Sequence, residues 1–290
     1  MTEKEVKRKM NFKKGLVSIC IPTYNGSDYI KKTLDSVFSQ SYSDIEVIIT
    51  DDGSTDGTLD VIKEYSDSRI HVYKNENNRV LPGNWNEAVS HAHGEFVKVL
   101  CQDDLLFPDA LKLQVQSLQN TDASCVIGNS LVINRDDETV MKRERFKKDA
   151  VISGVKFARK SMLGRNIYSE PPNLLYRTEL FYKYGGYDET LKYTPDWDFA
   201  LRISLEGKIS CLSSNIMSFR ISDGSETTNL SKNRMKELIN DTDRFYDKHK
   251  SSELLGLSVF NEFEFKLITR LAALARLMII SFSKSDRSRR

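Results

Sequence analysis

Cysteine is scarce in this 290-residue chain, and the four present, Cys20, Cys101, Cys125 and Cys211, form no C-x-x-C pair. Each lies in an apolar, strand-like stretch, which fits buried free thiols in a reducing compartment. An excess of one charge is also lacking: the formal charge is only +2, so there is no strong field for nucleic acid or an anionic membrane. A small basic surplus sits at the ends, in Lys7, Arg8, Lys9, Lys13 and Lys14 and in Arg287, Arg289 and Arg290, and reads as solvated tails. The charged N-terminus lacks the apolar core of a signal peptide. The longest apolar stretch, 271–282, is interrupted by Arg276 and falls short of the ~20 apolar residues of a membrane span. A cytoplasmic protein is expected, with membrane contact limited to a surface. Internal repeats and low-complexity linkers are absent. So are the Gly-x-x-x-x-Gly-Lys-Ser/Thr and Gly-x-Gly-x-x-Gly loops, which excludes the phosphate cradles of P-loop enzymes and dinucleotide-binding dehydrogenases.

What is there is alternation. Hydrophobic residues make up 39% of the chain, enough for one large α/β domain with an appendage or for two modest domains. Apolar runs at 17–21, 47–49, 70–73 and 96–100 read as buried strands. Ile30, Leu34, Val37 and Phe38 fall at helical spacing with Ser27 placed to cap them, and further helices are predicted at 58–65, 84–93 and 108–118. Strands alternating with helices predict a parallel α/β sheet. Residues 135–150 are charged and read as a surface loop or flap able to close over a ligand. A helix is predicted to start near Asp196, and the chain beyond about 229 reads as all helical. There Phe260, Phe263, Leu267, Leu271, Leu274 and Met278 share one face, read as core packing ahead of a membrane surface.

Ligands of an open parallel sheet bind beyond the carboxyl ends of the strands. Three predicted strands end in polar sequence: Pro22-Thr23-Tyr24-Asn25, Asp51-Asp52-Gly53-Ser54 and Gln102-Asp103-Asp104. Each alone is also a plausible turn or helix cap, but three in order make coincidence a poor account. Carboxylates at strand ends suit Mg²⁺ or Mn²⁺, which take hard oxygen ligands together with substrate phosphates. Such an ion neutralises a diphosphate leaving group. The histidines form no convincing metal site, since His91 and His93 are two apart and do not share a helical face. Both read as surface residues.

Several of these stretches together resemble family 2 glycosyltransferases. They are Val17-Ser-Ile-Cys-Ile-Pro-Thr-Tyr-Asn25 with Tyr29-Ile30, Ser36-Val37 and Gln40, then Glu46-Val-Ile-Ile-Thr-Asp-Asp-Gly-Ser-Thr-Asp56, then 86–94 leading into Asp103-Asp104. A third block is similar: Asn173-Leu-Leu-Tyr-Arg, Gly185-Gly-Tyr-Asp188 and Asp196-Trp-Asp-Phe-Ala-Leu-Arg202. The resemblance covers roughly residues 15–222. It implies the A-type glycosyltransferase fold, an α/β fold with a Rossmann-like, mostly parallel sheet, here with a C-terminal helical extension, and an inverting transfer. The implied layout is an N-terminal tail 1–14, a catalytic domain 15–228 and a helical region 229–290. Within the catalytic domain, 15–134 is the nucleotide-sugar half and 150–228 the acceptor half.

The resemblance also implies residue roles. Asp52 would contact the nucleotide base, Tyr24 would pack against it, and Pro22, Thr23 and Asn25 would shape that loop, with Asp51 supporting the turn. Asp104 would hold Mn²⁺ or Mg²⁺, with Gln102 and Asp103 beside the donor. Asp196 would be the base, because an acceptor hydroxyl must lose its proton as it attacks the anomeric carbon. It could also cap its helix, and the two roles can coexist. Asp198 and Arg202, four apart, read as a helix-surface ion pair, while Trp197 and Leu201 face the core or an acceptor cleft. Four departures stand out. Gln102 replaces an acid, Pro195 a glutamate, and Ser222 stands where relatives often carry a histidine, with Asp223 as a stand-in; Trp85 also replaces a common arginine. These keep open a non-catalytic module that binds a nucleotide sugar or glycan. A sugar nucleotidyltransferase ranks lower for want of a Gly-rich, basic triphosphate loop. The implied enzyme transfers from a nucleoside diphosphate sugar, UDP-sugar foremost, to a glycan or lipid-linked acceptor in bacterial capsule or lipopolysaccharide synthesis. It would work in the cytoplasm, with peripheral contact at the inner face of the cell membrane or a homodimer through 229–290, and with no nucleic acid partner.

Overall fold

The computed structural model describes residues 12–76, 78–221 and 232–287, with side chains in the last stretch described for 234–274. The tail residues Lys7, Arg8, Lys9, Arg289 and Arg290, the pair Ser222 and Asp223, and the side chains of Met278 and Arg287 lie outside that description.

The apolar runs form strands buried on both faces, as expected where helices cover a parallel sheet. β1 (Lys13–Thr23) is buried from Leu16 onward and β2 (Ile45–Asp51) throughout. They are joined by α1 (Ile30–Phe38) and followed by α2 (Thr58–Lys63), β3 (Ile70–Lys74), α3 (Val80–Ser90) and β4 (Gly94–Val99). Next come β5 (Leu105–Leu106), α4 (Ala110–Asn120), β6 (Ala123–Ile133), β7 (Thr139–Arg143), β8 (Ala150–Ser153) and α5 (Gly154–Ser161). A 3₁₀ turn (Pro171–Asn173) leads to β9 (Leu175–Arg177), α6 (Thr178–Tyr184), α7 (Pro195–Ser204) and β10 (Lys208–Arg220). Two long helices close the chain, α8 (Lys232–His249) and α9 (Val259–Arg287).

The sheet runs β3-β2-β1-β4-β9-β6-β10-β5, with β7 on β6 and β8 on β10. β1 pairs in parallel with β2 and β4, β2 with β3, and β6 with β10. The short β9 is antiparallel to both β4 and β6, so all six long strands point one way. The chain leaves β1 toward β2 and β3 and returns on the other side as β4. The crevice where strand order reverses lies at the carboxyl ends of β1 and β4, the place where open α/β sheets take ligands.

Several local expectations change. Ser27 does not cap α1: its N–H donates to Asp56 Oδ2 at 3.0 Å, and Tyr29 stands at the cap without a side-chain bond. α3 starts earlier than predicted because Pro82 fits a first helical turn, while the Asn84 amide donates inward to Thr50 O at 3.2 Å rather than opening the helix. The segment 135–150 contains β7, hydrogen-bonded antiparallel to β6, so its middle is a sheet edge and not a free flap. His93 is exposed beside Glu46, but His91 is half-buried, stacked on Tyr73 with ring centres 3.7 Å apart.

The largest corrections concern the last helices. Asp198 and Arg202 do form a pair, at 2.7 Å, but Asp198 is fully buried and also meets Lys248 Nζ at 2.9 Å and His249 Nε2 at 2.8 Å. Burial pushes its carboxyl up, and the bonds from His249 and the charges of Arg202 and Lys248 outweigh this and hold it below the usual range. Trp197 is buried against Phe245 and Phe265, with centres 4.5 and 5.8 Å away. The stripe on α9 is not core: Phe260, Phe263, Leu267, Leu271 and Leu274 are 48–72% exposed. Among the described side chains of α9, the buried ones are Phe265 and Ala273, on the opposite side.

Asp241 on α8 accepts from Lys192 N at 2.8 Å, Tyr193 N at 2.9 Å and Thr194 Oγ1 at 2.9 Å, and is itself buried. It fixes the loop that enters α7. Asp241→Ala strands these donors and is expected to cost about 2–4 kcal/mol of stability, read as a lower urea midpoint. A loss below about 0.5 kcal/mol, the range of an ordinary surface change, would show the clamp to be idle.

Candidate active site

The loops after β1 and β2 are laced together. Pro22 and Thr23 pair with Thr50 and Asp51, and Asp52 N donates to Thr23 O at 2.8 Å. Asn25 is left-handed at φ +48, a conformation Asn tolerates, and its Oδ1 accepts from Thr55 N at 2.9 Å. Asp51 Oδ2 accepts from Gly53 and Ser54 N–H and so supports the turn. Asp52 accepts from Asn75 Nδ2 at 2.8 Å and from Arg79 N at 2.9 and 3.0 Å. Asn75 and Arg79 in turn line an open cleft with Lys74, Glu76 and Glu87. A carboxylate has about four acceptor positions, so Asp52 keeps capacity for one more donor.

Tyr24 presents an exposed ring. Its backbone N–H donates to Gln102 Oε1 and its carbonyl accepts from Gln102 Nε2, each at 2.9 Å. A Cβ on Gly26 would lie 2.3 Å from Gln102 Oε1, so glycine is what admits this side chain. Gln102 therefore spends both ends of its amide on holding the Tyr24 loop to the end of β4. An acid there would accept from Tyr24 N but have no donor for Tyr24 O.

Asp104 sits just beyond β4, fully buried. Its Oδ1 accepts from Arg220 N at 2.9 Å, while Oδ2 has no hydrogen-bond partner. Burial, followed by the charges of Asp103 and Glu170, raises its carboxyl well above the usual range. Burial also raises Asp103, against the opposing charge of Arg220. Arg220, itself buried, donates from Nε to Asp103 O at 2.9 Å, pairs with Asp137 Oδ1 at 2.6 Å and lies 4.7 Å over the Tyr29 ring.

Asp196 is the second residue of α7, and the cap position belongs to Thr194, so Asp196 is not the N-cap residue, although backbone bonds from Trp197 and from Asp196 itself act on its carboxylate in the first turn. The carboxylate accepts from Asn166 Nδ2 at 3.2 Å and faces a cavity shared with Tyr168, Ser169, Glu170, Leu174 and Tyr187. Burial pushes it up to about 7, and the charge of Glu170 adds to this. Glu170 is held by Arg143 and by Ser169 Oγ. Arg145, whose guanidinium burial pulls down, bonds Ile167 O at 3.3 Å. Lys98, buried in the middle of β4 with its amine lowered to about 7, donates to Pro172 O at 2.6 Å and braces the same loop from inside the sheet.

The structure thus brings Pro22, Thr23, Tyr24, Asn25, Gln102, Asp103 and Asp104 to the crevice, with Asp52 next to them. Asp196 is tied to the acid end through Glu170, whose charge reaches both Asp104 and Asp196. Trp85 is buried edge-on to Tyr187, 5.1 Å between centres, and serves the core. Glu170, Asn166, Arg143, Arg145 and Arg220 were not singled out from sequence. Only Lys98, a charge inside Phe-Val-Lys-Val-Leu, left a visible signal. No group of three metal-ligating side chains occurs among the described residues. The residues present nonetheless fit a hard cation that takes part of its shell from a substrate: Asp104 Oδ2 is buried without a partner, Asp103 adjoins it, and the charges of Asp103 and Glu170 add to the burial that raises Asp104.

Comparison with known proteins identifies the class. The glycosyl transferase family 2 model matches residues 18–185, and the chain belongs to that family; it is a glycosyltransferase. It is 30% identical over 234 residues to an uncharacterized glycosyltransferase of Rickettsia typhi, covering 79% of this chain and 71% of that one. It is also 30% identical over 238 residues to the UDP-Glc:alpha-D-GlcNAc-diphosphoundecaprenol beta-1,3-glucosyltransferase WfaP of Escherichia coli, covering 77% and 83%. Among solved structures it resembles S. aureus TarS 1-349 in complex with UDP-GlcNAc (TM-score 0.65, 20% identity, 86% and 78% covered). It also resembles the mannosyltransferase PcManGT of Pyrobaculum calidifontis with GDP-Man and Mn2+ (0.61, 18%, 97% and 86%). These structures show the A-type glycosyltransferase fold, and the family assignment sets aside the binding-module and nucleotidyltransferase readings. No helix among the described residues is long and apolar enough to cross a membrane.

A carboxyl raised from 3.8 to about 7 must keep or take up a proton to fold at intermediate pH, and the free-energy penalty grows as pH rises toward 7. Asp196→Asn removes it. The variant is expected to match the parent near pH 4, to gain stability up to pH 7 and then level off, by up to about 4 kcal/mol from the shift of some three units. Thermal unfolding of both proteins from pH 4 to 8.5 checks this, and parallel curves would show that Asp196 is not raised.

Proposed function

We propose that this protein is an inverting glycosyltransferase. In this reading it moves a sugar from a nucleoside diphosphate sugar, with UDP as the nucleotide, to a hydroxyl of a glycan or lipid-linked saccharide. The observation that carries it is Asp196: a carboxyl poised near neutrality, in a cavity it shares with Glu170, whose charge also acts on Asp104. A base is most effective when its pKa lies near the working pH. The UDP-glucose in the E. coli relative's name and the UDP-GlcNAc in the TarS complex support the donor class, and the Mn2+ of the PcManGT complex supports the metal.

Each residue then has a task. Tyr24 packs on the base and Asp52 accepts a base N–H with its spare lone pair, on a loop shaped by Pro22, Thr23 and Asn25 and pinned by Gln102. Asp103 lies at the donor ribose, and Asp104 offers Oδ2 to Mn²⁺ or Mg²⁺. Such an ion, when bound, supplies positive charge beside the diphosphate. Asn166 orients Asp196, which takes the acceptor proton as the acceptor oxygen bonds to the anomeric carbon from the face opposite the departing diphosphate. That single displacement inverts the carbon.

Calorimetry with a panel of nucleoside diphosphates, with and without Mn²⁺, tests the site. One nucleotide is expected to bind only with metal, and Asp104→Ala to lose it. Asp196→Asn is expected to keep that binding and lose about 10²–10⁴-fold in turnover. Binding that ignores both metal and Asp104 would refute the metal assignment.

We further place the enzyme in bacterial surface-polysaccharide synthesis, such as capsule or lipopolysaccharide, at the inner face of the cell membrane, in peripheral contact or as a homodimer through 229–290. The support is the exposed apolar stripe of α9 and the diphosphoundecaprenol in the E. coli relative's name. Because Phe265 packs on Trp197, truncation would disturb the catalytic half, and surface substitution is the cleaner probe. Phe260→Ser with Phe263→Ser and Leu267→Ser is expected to abolish flotation with anionic vesicles or, for a dimer, to give the monomer mass by light scattering. A parent that is monomeric and does not float would refute both.

A further inference from the structure

Resting on the reading of a nucleotide-sugar donor, we propose that Glu170 reads the donor's sugar, accepting hydrogen bonds from its hydroxyls and selecting a neutral sugar over a uronic acid. The location follows from what the sugar must span. Its anomeric carbon lies between the diphosphate, held at the Asp103–Asp104 end, and the acceptor oxygen, whose proton goes to Asp196. Glu170 lines the cavity with Asp196, and its charge acts on Asp104 as well. It therefore borders the stretch where the sugar ring belongs.

The carboxylate is also held as a recognition group is held. One oxygen meets Arg143 and the other Ser169 Oγ, which uses two of about four acceptor positions and leaves the rest for a ligand. Ser169 is buried and left-handed at φ +74, a conformation a serine keeps only where its surroundings insist. Those surroundings are visible. Asn166 Nδ2 donates at 3.2 Å to both Ser169 O and Asp196 Oδ2. Lys98 Nζ donates to Pro172 O at 2.6 Å, and Gln114 Nε2 to Asn173 O at 2.8 Å. The half-buried Asn166 amide on one side and the buried Lys98 amine and Gln114 amide on the other thus fix the loop around Glu170, more support than a plain ion pair between β7 and a loop requires.

The selectivity follows from charge. Sugar hydroxyls donate to a carboxylate, whereas the carboxylate of a uronic acid would meet Glu170 and Asp196 together. Of the two nearby cations, Arg143 is already paired with Glu170, and Arg145 bonds the carbonyls of Ile167 and Asn166 at 3.3 and 3.5 Å. A neutral hexose or N-acetylhexosamine suits this wall.

The test is calorimetric binding in Mn²⁺ of the nucleoside diphosphate the parent recognises, and of its hexose, N-acetylhexosamine and hexuronate esters, to the parent, Glu170→Gln and Glu170→Ala. The parent is expected to favour a neutral ester over the hexuronate at least tenfold. Glu170→Gln should reduce that ratio to about threefold or less, while the bare nucleoside diphosphate binds within twofold of the parent. A ratio unchanged in both variants, or a parent that prefers the hexuronate, overturns the role of Glu170. Equal weakening of every ligand, the bare nucleotide included, shows a structural role and also overturns it. Failure of the parent to bind any nucleotide overturns the donor reading itself, and this inference with it.

Discussion

Carboxylates held out of water beyond β4 are the constraint that the surrounding structure answers to. Burial raises Asp103, Asp104 and Asp196, and the charge of Glu170 raises Asp104 and Asp196 further. Left alone, such a group would loosen until water reached it. The fold opposes this from several directions. Arg220 crosses from the end of β10 and gives its backbone N–H to Asp104 and its guanidinium to Asp103 O and Asp137. Arg143 comes from β7 and takes Glu170. Lys98 and Gln114 tie down the 3₁₀ turn behind Glu170 through its carbonyls. Two of its buried atoms have no partner, Asp104 Oδ2 and Arg220 Nη2, and the first is an acceptor where a cation fits.

The helices that close the chain belong to this network. α8 grips the entrance of α7 through Asp241 and its body through Lys248 and His249 on Asp198. α9 places Phe265 on Trp197. Both contacts flank Asp196, so the C-terminal region sets where Asp196 stands although the family match ends at residue 185. The two sides of α9 thus differ in purpose: one seals the catalytic half, and the other leaves a row of large apolar side chains in water.

The sequence made the sheet legible because its period is local. Buried strands read as apolar runs, and the polar segments after 21, 50 and 101 mark strand ends whatever their partners. The A-type architecture and the positions of Asp52, Asp103, Asp104 and Asp196 came from motifs that survive as contiguous blocks. What stayed hidden depends on tertiary neighbours. Asp198 and Arg202 show the spacing of a surface pair, and nothing local reveals that His249 will bury them. The α9 stripe has the spacing of a core face, and periodicity cannot say whether anything covers it. Glu170 lies beside two prolines in a segment without regular structure. Its meaning appears only when β7 and α7 close around it.

The proposed transfer moves charge in a direction this arrangement can bear. Before reaction, one negative charge is on Asp196. As the acceptor oxygen gives up its proton to Asp196 and bonds to the anomeric carbon, that charge disappears from the base and reappears on the leaving diphosphate, across the sugar. The site's total charge is unchanged, but the negative charge has travelled toward Asp103 and Asp104, where like charge is already crowded. A low-dielectric wall makes that repulsion stronger than it would be in water. The same burial that sharpens Asp196 as a base would thus oppose departure of the diphosphate unless positive charge stood at the carboxyl end of β4. Arg220 is largely committed to Asp103 O and Asp137, and Arg143 to Glu170. The vacant lone pairs of Asp104 Oδ2 are the remaining place from which the chain can hold such a charge, which makes the near-neutral base and the incomplete carboxylate two halves of one electrostatic requirement.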